Sequence, residues 1–325
     1  PGSPRSSAPA RSGRRRCGRP HGLTRQTVTP PEPRATRTGR LLPASATRDS
    51  ARLVETRGLR GLGDGLVSTV LAAYLVSIGL SGGQVGAIVT ATLLGSAVLT
   101  LLVGLRGHTV PRRRLLLAAS VLMFATGLVF AFSTTFVVLL IAAFVGTINP
   151  SNGDVSVFLP TEQSLLPATV TDRDRTSMFA RFTFVAFVAA ATGALAANLV
   201  EGRDAFLVYS GIAVCVFLLY LSLSPGVEPP PEAKPGPLGP SRRLVFQLAA
   251  VFSLDSLGGG FVVQSLLALW LYRRFELSVG TTGTIFFATG LLAGLSGLLA
   301  PALARRIGLI RTMVFTHIPS NVLLI

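Results

Sequence analysis

Long apolar runs follow one another along most of the chain and are separated by short polar segments. Several of the runs approach the about 20 residues that a helix needs to cross the hydrocarbon core of a bilayer. The pattern predicts an all-α polytopic membrane protein with eight spans and the start of a ninth. The predicted spans are 59–79, 84–103, 115–132, 136–166, 177–199, 204–223, 244–270, 281–302 and a ninth from residue 312.

An internal repeat divides these spans into two halves. Residues 80–88, LSGGQVGAI, match residues 277–285, LSVGTTGTI, at five of nine positions and at an offset of 277 − 80 = 197 residues. Equivalent spans flank the two stretches, and a basic loop follows the next span in each half. A parallel repeat of six spans per unit is a plan of secondary transporters. The sequence predicts a six-helix half over 53–223, a Pro-rich cytoplasmic linker over 224–243, and the truncated beginning of a second half over 244–325.

The positive charge is concentrated near the start of the chain. Of the net charge of +16, residues 1–60 contribute +11, from 14 Arg against three acidic residues, and the rest contributes +5. The segment 1–52 has too few apolar residues to form a core, which predicts a disordered basic leader. Three interpretations of it stay open: a cytoplasmic tail attracted to anionic lipid, an organelle transit peptide, or a stretch that is not natively translated. A nucleic-acid partner is not expected.

Basic loops indicate the orientation in the membrane. Cytoplasmic loops of membrane proteins carry an excess of Lys and Arg. The opposite loops are nearly uncharged or balanced, apart from Arg273 and Arg274. We therefore expect a multi-pass protein of the plasma or inner membrane with a cytoplasmic N-terminus. The basic loops on the predicted cytoplasmic side are 104–114, 172–175, 234–243 and 304–311.

One polar stretch, residues 148–163 (INPSNGDVSVFLPTEQ), continues directly from an apolar run. Polar groups at membrane depth must face protein or a water-filled cavity rather than lipid. Pro150 and Gly153 would break the helix, as happens at transporter binding sites. We interpret the stretch as the latter half of the fourth membrane helix, lining a transport pathway. The alternative is a surface loop that begins after Ile148.

Carboxylates and amides inside the spans are the candidates for binding a solute or coupling its transport to protons. A charge at that depth is costly and usually has a function. Asp255 lies inside the seventh span, whereas Asp64 lies close enough to the boundary to be a helix-start residue instead. The candidate set is Asp154, Asn149, Asn152, Asp255, Asp64 and Gln264.

The loop after the second span carries a family resemblance. Residues 104–113, GLRGHTVPRR, resemble the G-x-L-A-D-R-x-G-R-R motif of the major facilitator superfamily, with His108 in place of the motif's Asp and Pro111 in place of its second Gly. The resemblance extends over residues 53–325 and implies two six-helix halves that alternate between outward-facing and inward-facing states. It implies a gating role for this loop. The candidate gating residues are Gly104, His108, Arg112, Arg113, Glu162 and Arg181.

The last two gating candidates, Glu162 and Arg181, have matching depths in the predicted fourth and fifth spans. Adjacent antiparallel helices can bring such side chains together, and each is costly if left unpaired. We expect a Glu162–Arg181 ion pair at the inner end of the pathway. The alternative is that both side chains reach cytoplasmic water separately.

These features favour a secondary active transporter of a small solute, with proton-coupled efflux as one form, acting as a monomer in the lipid bilayer. The sequence has no phosphate loop for an ATP-driven pump and no His, Cys and carboxylate spacing for a metal, and no cofactor or enzymatic activity is expected. Two alternatives stay open. One is an inactive, truncated gene product with a transporter fold, and the other is a membrane-embedded lipid-linked glycosyl transferase, for which the extracytoplasmic loops are short.

The orientation gives the first testable prediction. A reporter fused after Arg114 or near Lys234 should read cytoplasmic, and one fused near Ser133 or Gly202 should read extracytoplasmic, because the Arg-rich loops stay inside. Paired alkaline phosphatase and fluorescent-protein fusions measure this. The reverse pattern would invert every assignment of sides made above.

Overall fold

The computed structural model describes residues 42–106, 110–151, 156–200, 202–228, 241–260 and 263–323. Every regular element in these ranges is helical. Short 3-10 turns lie at Leu166–Thr169, Asp172–Asp174 and Pro225–Val227. The helices are α1 Arg48–Ser77, α2 Gly82–Arg106, α3 Arg112–Phe132, α4 Phe136–Val145, α5 Phe158–Leu165, α6 Arg175–Ala196, α7 Arg203–Leu221, α8 Arg242–Gly260, α9 Gln264–Phe275, α10 Val279–Ile307 and α11 Leu309–Leu323.

The helices have the length and composition of membrane spans. Within the described ranges, six segments are long and apolar enough to cross a bilayer. They comprise α1, α2, α3, the segment Asp172–Ala196 that contains α6, α7 and α10. The predicted class, an all-α polytopic membrane protein, is confirmed.

Helix α1 begins at Arg48, earlier than the predicted span start at residue 59, so the prediction of a disordered leader over 1–52 is wrong for residues 48–52. Residues 1–41 of that leader lie outside the described part of the chain. Thr47 and Ser50 form a capping box, in which each side chain accepts the backbone N–H of the other. This arrangement satisfies N–H groups that have no partner within the helix. The Ser50 hydroxyl also donates to the carbonyl of Thr169 at 2.9 Å. The early start makes the charged residues before residue 61 part of the helix and carries some of them into the protein interior.

Two predicted spans, the fourth and the seventh, are interrupted. The first interruption lies between α4 and α5, and the second lies between α8 and α9. Asn149 and Pro150 are nevertheless buried like Ile148, so the chain stays inside the protein directly after Ile148 instead of beginning a surface loop there. The two interruptions touch, because the N–H of Ser265 donates to the carbonyl of Pro150 at 3.0 Å. Non-helical backbone at membrane depth requires such protein partners.

Helices α1 and α6 approach each other so closely that only glycine fits at the contact. A Cβ on Gly65 would lie 1.9 Å from the carbonyl oxygen of Ala190, and one on Gly193 would lie 2.0 Å from that of Leu62. Small residues allow such backbone approach in membranes, where packing rather than water exclusion drives helix association. The contact fixes α1 against α6 along several turns.

A second small-residue contact joins α6 to α10. A Cβ on Gly283 would lie 2.2 Å from the carbonyl oxygen of Ala194, and one on Gly290 would lie 3.0 Å from the Cβ of Ala191. Because α6 belongs to the predicted first half and α10 to the second, this close helix contact lies between the two halves.

The helix starts reproduce the sequence repeat. Helices α2 and α10 begin at Gly82 and Val279, again 279 − 82 = 197 residues apart. The preceding serines act alike: the Ser81 hydroxyl accepts the N–H of Gln84, and the Ser278 hydroxyl accepts the N–H of Thr281. The similarity between 80–88 and 277–285 therefore includes the way in which each helix is capped.

The α1–α6 contact leads to a stability prediction. We expect Gly65→Ala to lower the melting temperature of the detergent-purified protein, with a loss of about 1–3 kcal/mol, because the new methyl group meets a backbone carbonyl that cannot move aside. Gly86→Ala in α2 is the matched control, since a Cβ there has no atom within 4 Å. Equal melting temperatures for the two variants would contradict the close contact.

Candidate functional site

A polar cavity of about 320 Å³ lies beside α1 in the helix bundle. Its walls come from α1, α5, α6 and the interruption between α4 and α5. Apolar side chains and glycines complete the lining. The polar lining residues are Arg57, Asp64, Ser68, Asn149, Ser151, Gln163 and Thr183.

Helix α1 contributes opposite charges to the cavity wall. Arg57 is 8% exposed and Asp64 is 9% exposed. The guanidinium of Arg57 lies 5.4 Å from the ring centroid of Phe182 on α6, which is cation–π distance. Gly61 and Gly65 line the same wall, at the positions where α1 lies against the backbone of α6.

The interruption between α4 and α5 contributes Asn149, which is buried. Its side-chain oxygen accepts the backbone N–H of Ser151 at 3.1 Å and the Ser151 hydroxyl at 3.3 Å. The Tyr209 hydroxyl donates to the carbonyl of Thr147 at 3.1 Å. These bonds replace helical hydrogen bonds and hold residues 147–151 of the interruption beside the cavity.

A buried ion pair between Glu162 on α5 and Arg60 on α1 lies next to the cavity. The Nη1 atom of Arg60 is 2.9 Å from Oε2 of Glu162, and the two side chains are 2% and 0% exposed. The Thr56 hydroxyl donates to Oε1 of Glu162 at 3.2 Å, and the Tyr220 hydroxyl donates to the same atom. The carboxylate therefore has donors from α1 and α7, which is the arrangement that a buried charge requires.

Arg60 is held on its other sides as well. Its Nη2 atom donates to the Ser156 hydroxyl at 3.2 Å, and its guanidinium lies 4.0 Å from the ring centroid of Phe158. The pair thus ties the half-helix α5 to α1. Leu159 and Gln163, on the neighbouring face of α5, line the cavity.

The predicted Glu162–Arg181 ion pair is wrong. Glu162 pairs with Arg60, because the charged start of α1 is buried beside α5 and supplies a cation there. Arg181 is half-buried, and its Nη1 atom has no hydrogen-bond partner among the described residues. The sequence carried a signal for the correct partner: Arg57, Arg60 and Asp64 are spaced i, i+3 and i+7, which predicts one polar side of a helix.

Gln264 joins the second half to the cavity wall. Its Nε2 atom donates to the Ser68 hydroxyl at 3.1 Å, and both residues are buried. Gln264 is the first residue of α9, and its neighbour Ser265 is equivalent to Ser68 at the repeat offset, since 265 − 68 = 197. Helices in equivalent positions of the two halves therefore meet at nearly equivalent residues.

The remaining candidates lie elsewhere or outside the described part of the chain. Asn152, Asp154 and His108 are outside it, and Asp255 lies in α8 with a side chain that is not described. Of the predicted solute-binding set, the structure brings together Asp64 and Asn149 at the cavity, with Gln264 bonded to a lining residue.

The comparisons with known proteins agree with this architecture. The family model of the Major Facilitator Superfamily matches residues 56–325. The chain belongs to the major facilitator superfamily. The uncharacterized membrane protein YJR124C of Saccharomyces cerevisiae is 25% identical to this superfamily member, and the match covers 85% of this chain and 72% of that protein.

Solved structures of superfamily transporters share the fold. The nucleoside transporter NupG, solved as a point mutant, has a TM-score of 0.57 and 13% identity, covering 80% of this chain and 69% of NupG. The human organic anion transporter MFSD10 has a TM-score of 0.54 and 16% identity, covering 77% of this chain and 71% of MFSD10. At these identities the likeness concerns the fold.

The superfamily loop after α2 leads into a set of contacts at one end of the bundle. The backbone N–H groups of Arg112 and Arg113 donate to the Glu228 carboxylate at 3.1 and 2.7 Å. The Arg113 guanidinium donates to the carbonyls of Tyr220 and Leu221 at the end of α7. These two arginines thus anchor the start of α3. Gly104 has open space where a Cβ would lie.

The buried pair gives a stability prediction. Glu162→Gln should cost about 3–5 kcal/mol and lower the yield of folded protein, because it leaves the Arg60 charge buried without its carboxylate. Thermal melts of purified variants measure this. Asp172→Asn is the control: Asp172 pairs with Arg175 in an i, i+3 pair whose side chains are 86% and 48% exposed, and its loss should not change the melting temperature. Equal melts for both variants would show that the buried pair does not stabilise the fold.

Proposed function

We propose that this superfamily member is a secondary active transporter that moves a small solute across the membrane by alternating access, with the solute bound in the cavity beside α1. The observation that carries the proposal is a polar cavity inside an apolar helix bundle, walled in part by an interrupted helix. Polar groups at membrane depth are costly unless they face protein or water, and many secondary transporters bind their solutes near the midplane at broken helices.

The contacts between the halves support the same mechanism. Alternating access requires two bodies that move against each other around a central site. Gln264 and Ser265 connect the start of α9 to Ser68 and Pro150 through single hydrogen bonds. Bonds of this kind can be broken and replaced by water at small net cost. They therefore suit an interface that opens and closes.

Coupling and location belong to the proposal as well. We propose protons as the coupling ion, with Asp154 or Asp255 as the site that exchanges them, because the sequence pattern puts both carboxylates inside predicted spans. We also propose residence in the plasma or inner membrane as a monomer, with a cytoplasmic N-terminus, as the distribution of basic loops indicates. Efflux is the proposed direction.

A labelling experiment tests alternating access without knowledge of the solute. In a Cys17→Ser, Cys215→Ser background, Ser151→Cys places a thiol in the cavity wall, and Val137→Cys places one on the exposed surface of α4. A membrane-impermeant maleimide is applied to right-side-out and to inverted vesicles. We expect the thiol at position 151 to react from both sides and the thiol at position 137 to react from neither, because lipid covers it.

Labelling of position 151 from one side only, under every ion gradient tried, would reject alternating access. The same vesicles test coupling. A pH gradient should shift the ratio of inside to outside labelling, and this shift should disappear in Asp255→Asn or in Asp154→Asn. An unchanged shift in both variants would reject the two carboxylates as coupling sites.

A further inference from the structure

We propose that the cavity beside α1 accepts a linear dipolar solute, with an anionic group and a cationic group roughly 10 Å apart. The inference rests on the proposed transport function and specifies the chemical class of its solute. The anionic group would lie at Arg57, toward the start of α1. The cationic group would lie at Asp64, two turns further along.

The geometry of α1 sets the two ends of the site. Arg57 and Asp64 both line the cavity, and both are at least nine-tenths buried. Seven residues of helix at 1.5 Å per residue separate their Cα atoms by about 10 Å along the axis. Opposite charges therefore border one cavity at two separate heights.

Electrostatics favours a dipolar solute over a singly charged one. Each of the two side chains also interacts with other protein groups, so each would divide its charge between those groups and the solute. A charge is nevertheless more strongly felt in a partly dehydrated cavity than in water. A solute with only a carboxylate would gain at Arg57 and be repelled at Asp64, and a solute with only an ammonium group would have the opposite balance. A dipole gains at both ends.

The remaining lining fits the middle of such a solute. Asn149 and Gln163 offer amide groups that can donate and accept hydrogen bonds to the solute. Ser68 lies one turn beyond Asp64, and its hydroxyl already bonds to the Gly65 carbonyl and to Gln264. The cavity of about 320 Å³ is at the small end of ligand sites, which restricts the solute to a short chain. The nearby charges of Arg60 and Glu162 are directed at each other across 2.9 Å and add little to the selectivity.

Four peptides of equal length test the proposal on the purified protein. They are trialanine, N-acetyl-trialanine, trialanine amide, and the peptide blocked at both ends. Trialanine spans roughly 10 Å when extended. Isothermal titration calorimetry gives the dissociation constants. We expect trialanine to bind roughly tenfold more tightly than either singly blocked peptide, the size of effect that a charge-assisted hydrogen bond supports.

Two variants assign the ends of the solute. In Arg57→Gln the penalty for amidating the carboxylate should disappear and the penalty for acetylating the amine should remain. In Asp64→Asn the penalty for acetylating the amine should disappear and the penalty for amidating the carboxylate should remain. Arg175→Gln and Asp172→Asn make the same chemical changes at an exposed pair and should keep both penalties.

Two results on the unaltered protein would overturn the proposal, whatever the variants do. One is equal binding of all four peptides, or preference for a singly blocked one. The other is no binding of any peptide at millimolar concentration. Neither result touches alternating access, because the maleimide experiment uses no solute. Conversely, one-sided labelling with preserved peptide selectivity would reject the transport mechanism and retain the binding site.

Discussion

A charge buried among membrane helices needs a partner of opposite sign, and much of this structure follows from that requirement. Arg60 and Glu162 supply each other's partner, and the carboxylate also takes donors from α1 and α7. Removing either charge would leave the other buried and unpaired in a low-dielectric interior. Because the half-helix α5 has only eight residues, few turns of its own hold it in place. The ion pair fixes it to α1, and this determines where the cavity wall stands.

The broad features of the fold can be predicted from the sequence because they depend on composition and period. Apolar runs of membrane length and loop charge require no tertiary information, and the repeat at offset 197 reappears in the capping serines Ser81 and Ser278. Composition and hydropathy do not indicate the partner of Glu162, and only the spacing of Arg57, Arg60 and Asp64 on one side of a helix points to it. Hydropathy marks where a helix becomes apolar rather than where it begins, so it places Arg60 at the membrane boundary instead of in the interior.

The site is predictable in part for a similar reason. Burying a carboxylate or an amide in a membrane costs free energy, so Asp64 and Asn149 are candidates for solute binding. Both line the cavity. The same reasoning does not select Arg57, because Arg57 precedes the apolar run that defines the predicted span. The predicted seventh span runs through the break after α8, although α8 ends in three glycines, Gly258 to Gly260, which weaken a helix. The bond between Ser265 and Pro150 has no such local signal, since it joins residues 265 − 150 = 115 positions apart.

The small-residue contact between α6 and α10 has a mechanical consequence. Helices that pack with long side chains interlock, and moving one along the other requires each side chain to leave its groove. Gly283 and Gly290 instead let the backbone of α10 approach Ala194 and Ala191 closely, and Gly294 lies against Phe184 and Phe187 further along the contact. A shift of α10 along α6 would bring residues with a Cβ to places where only glycine fits, so the contact favours one axial position. A movement of the second half against the first is therefore expected to tilt or separate these helices rather than slide them.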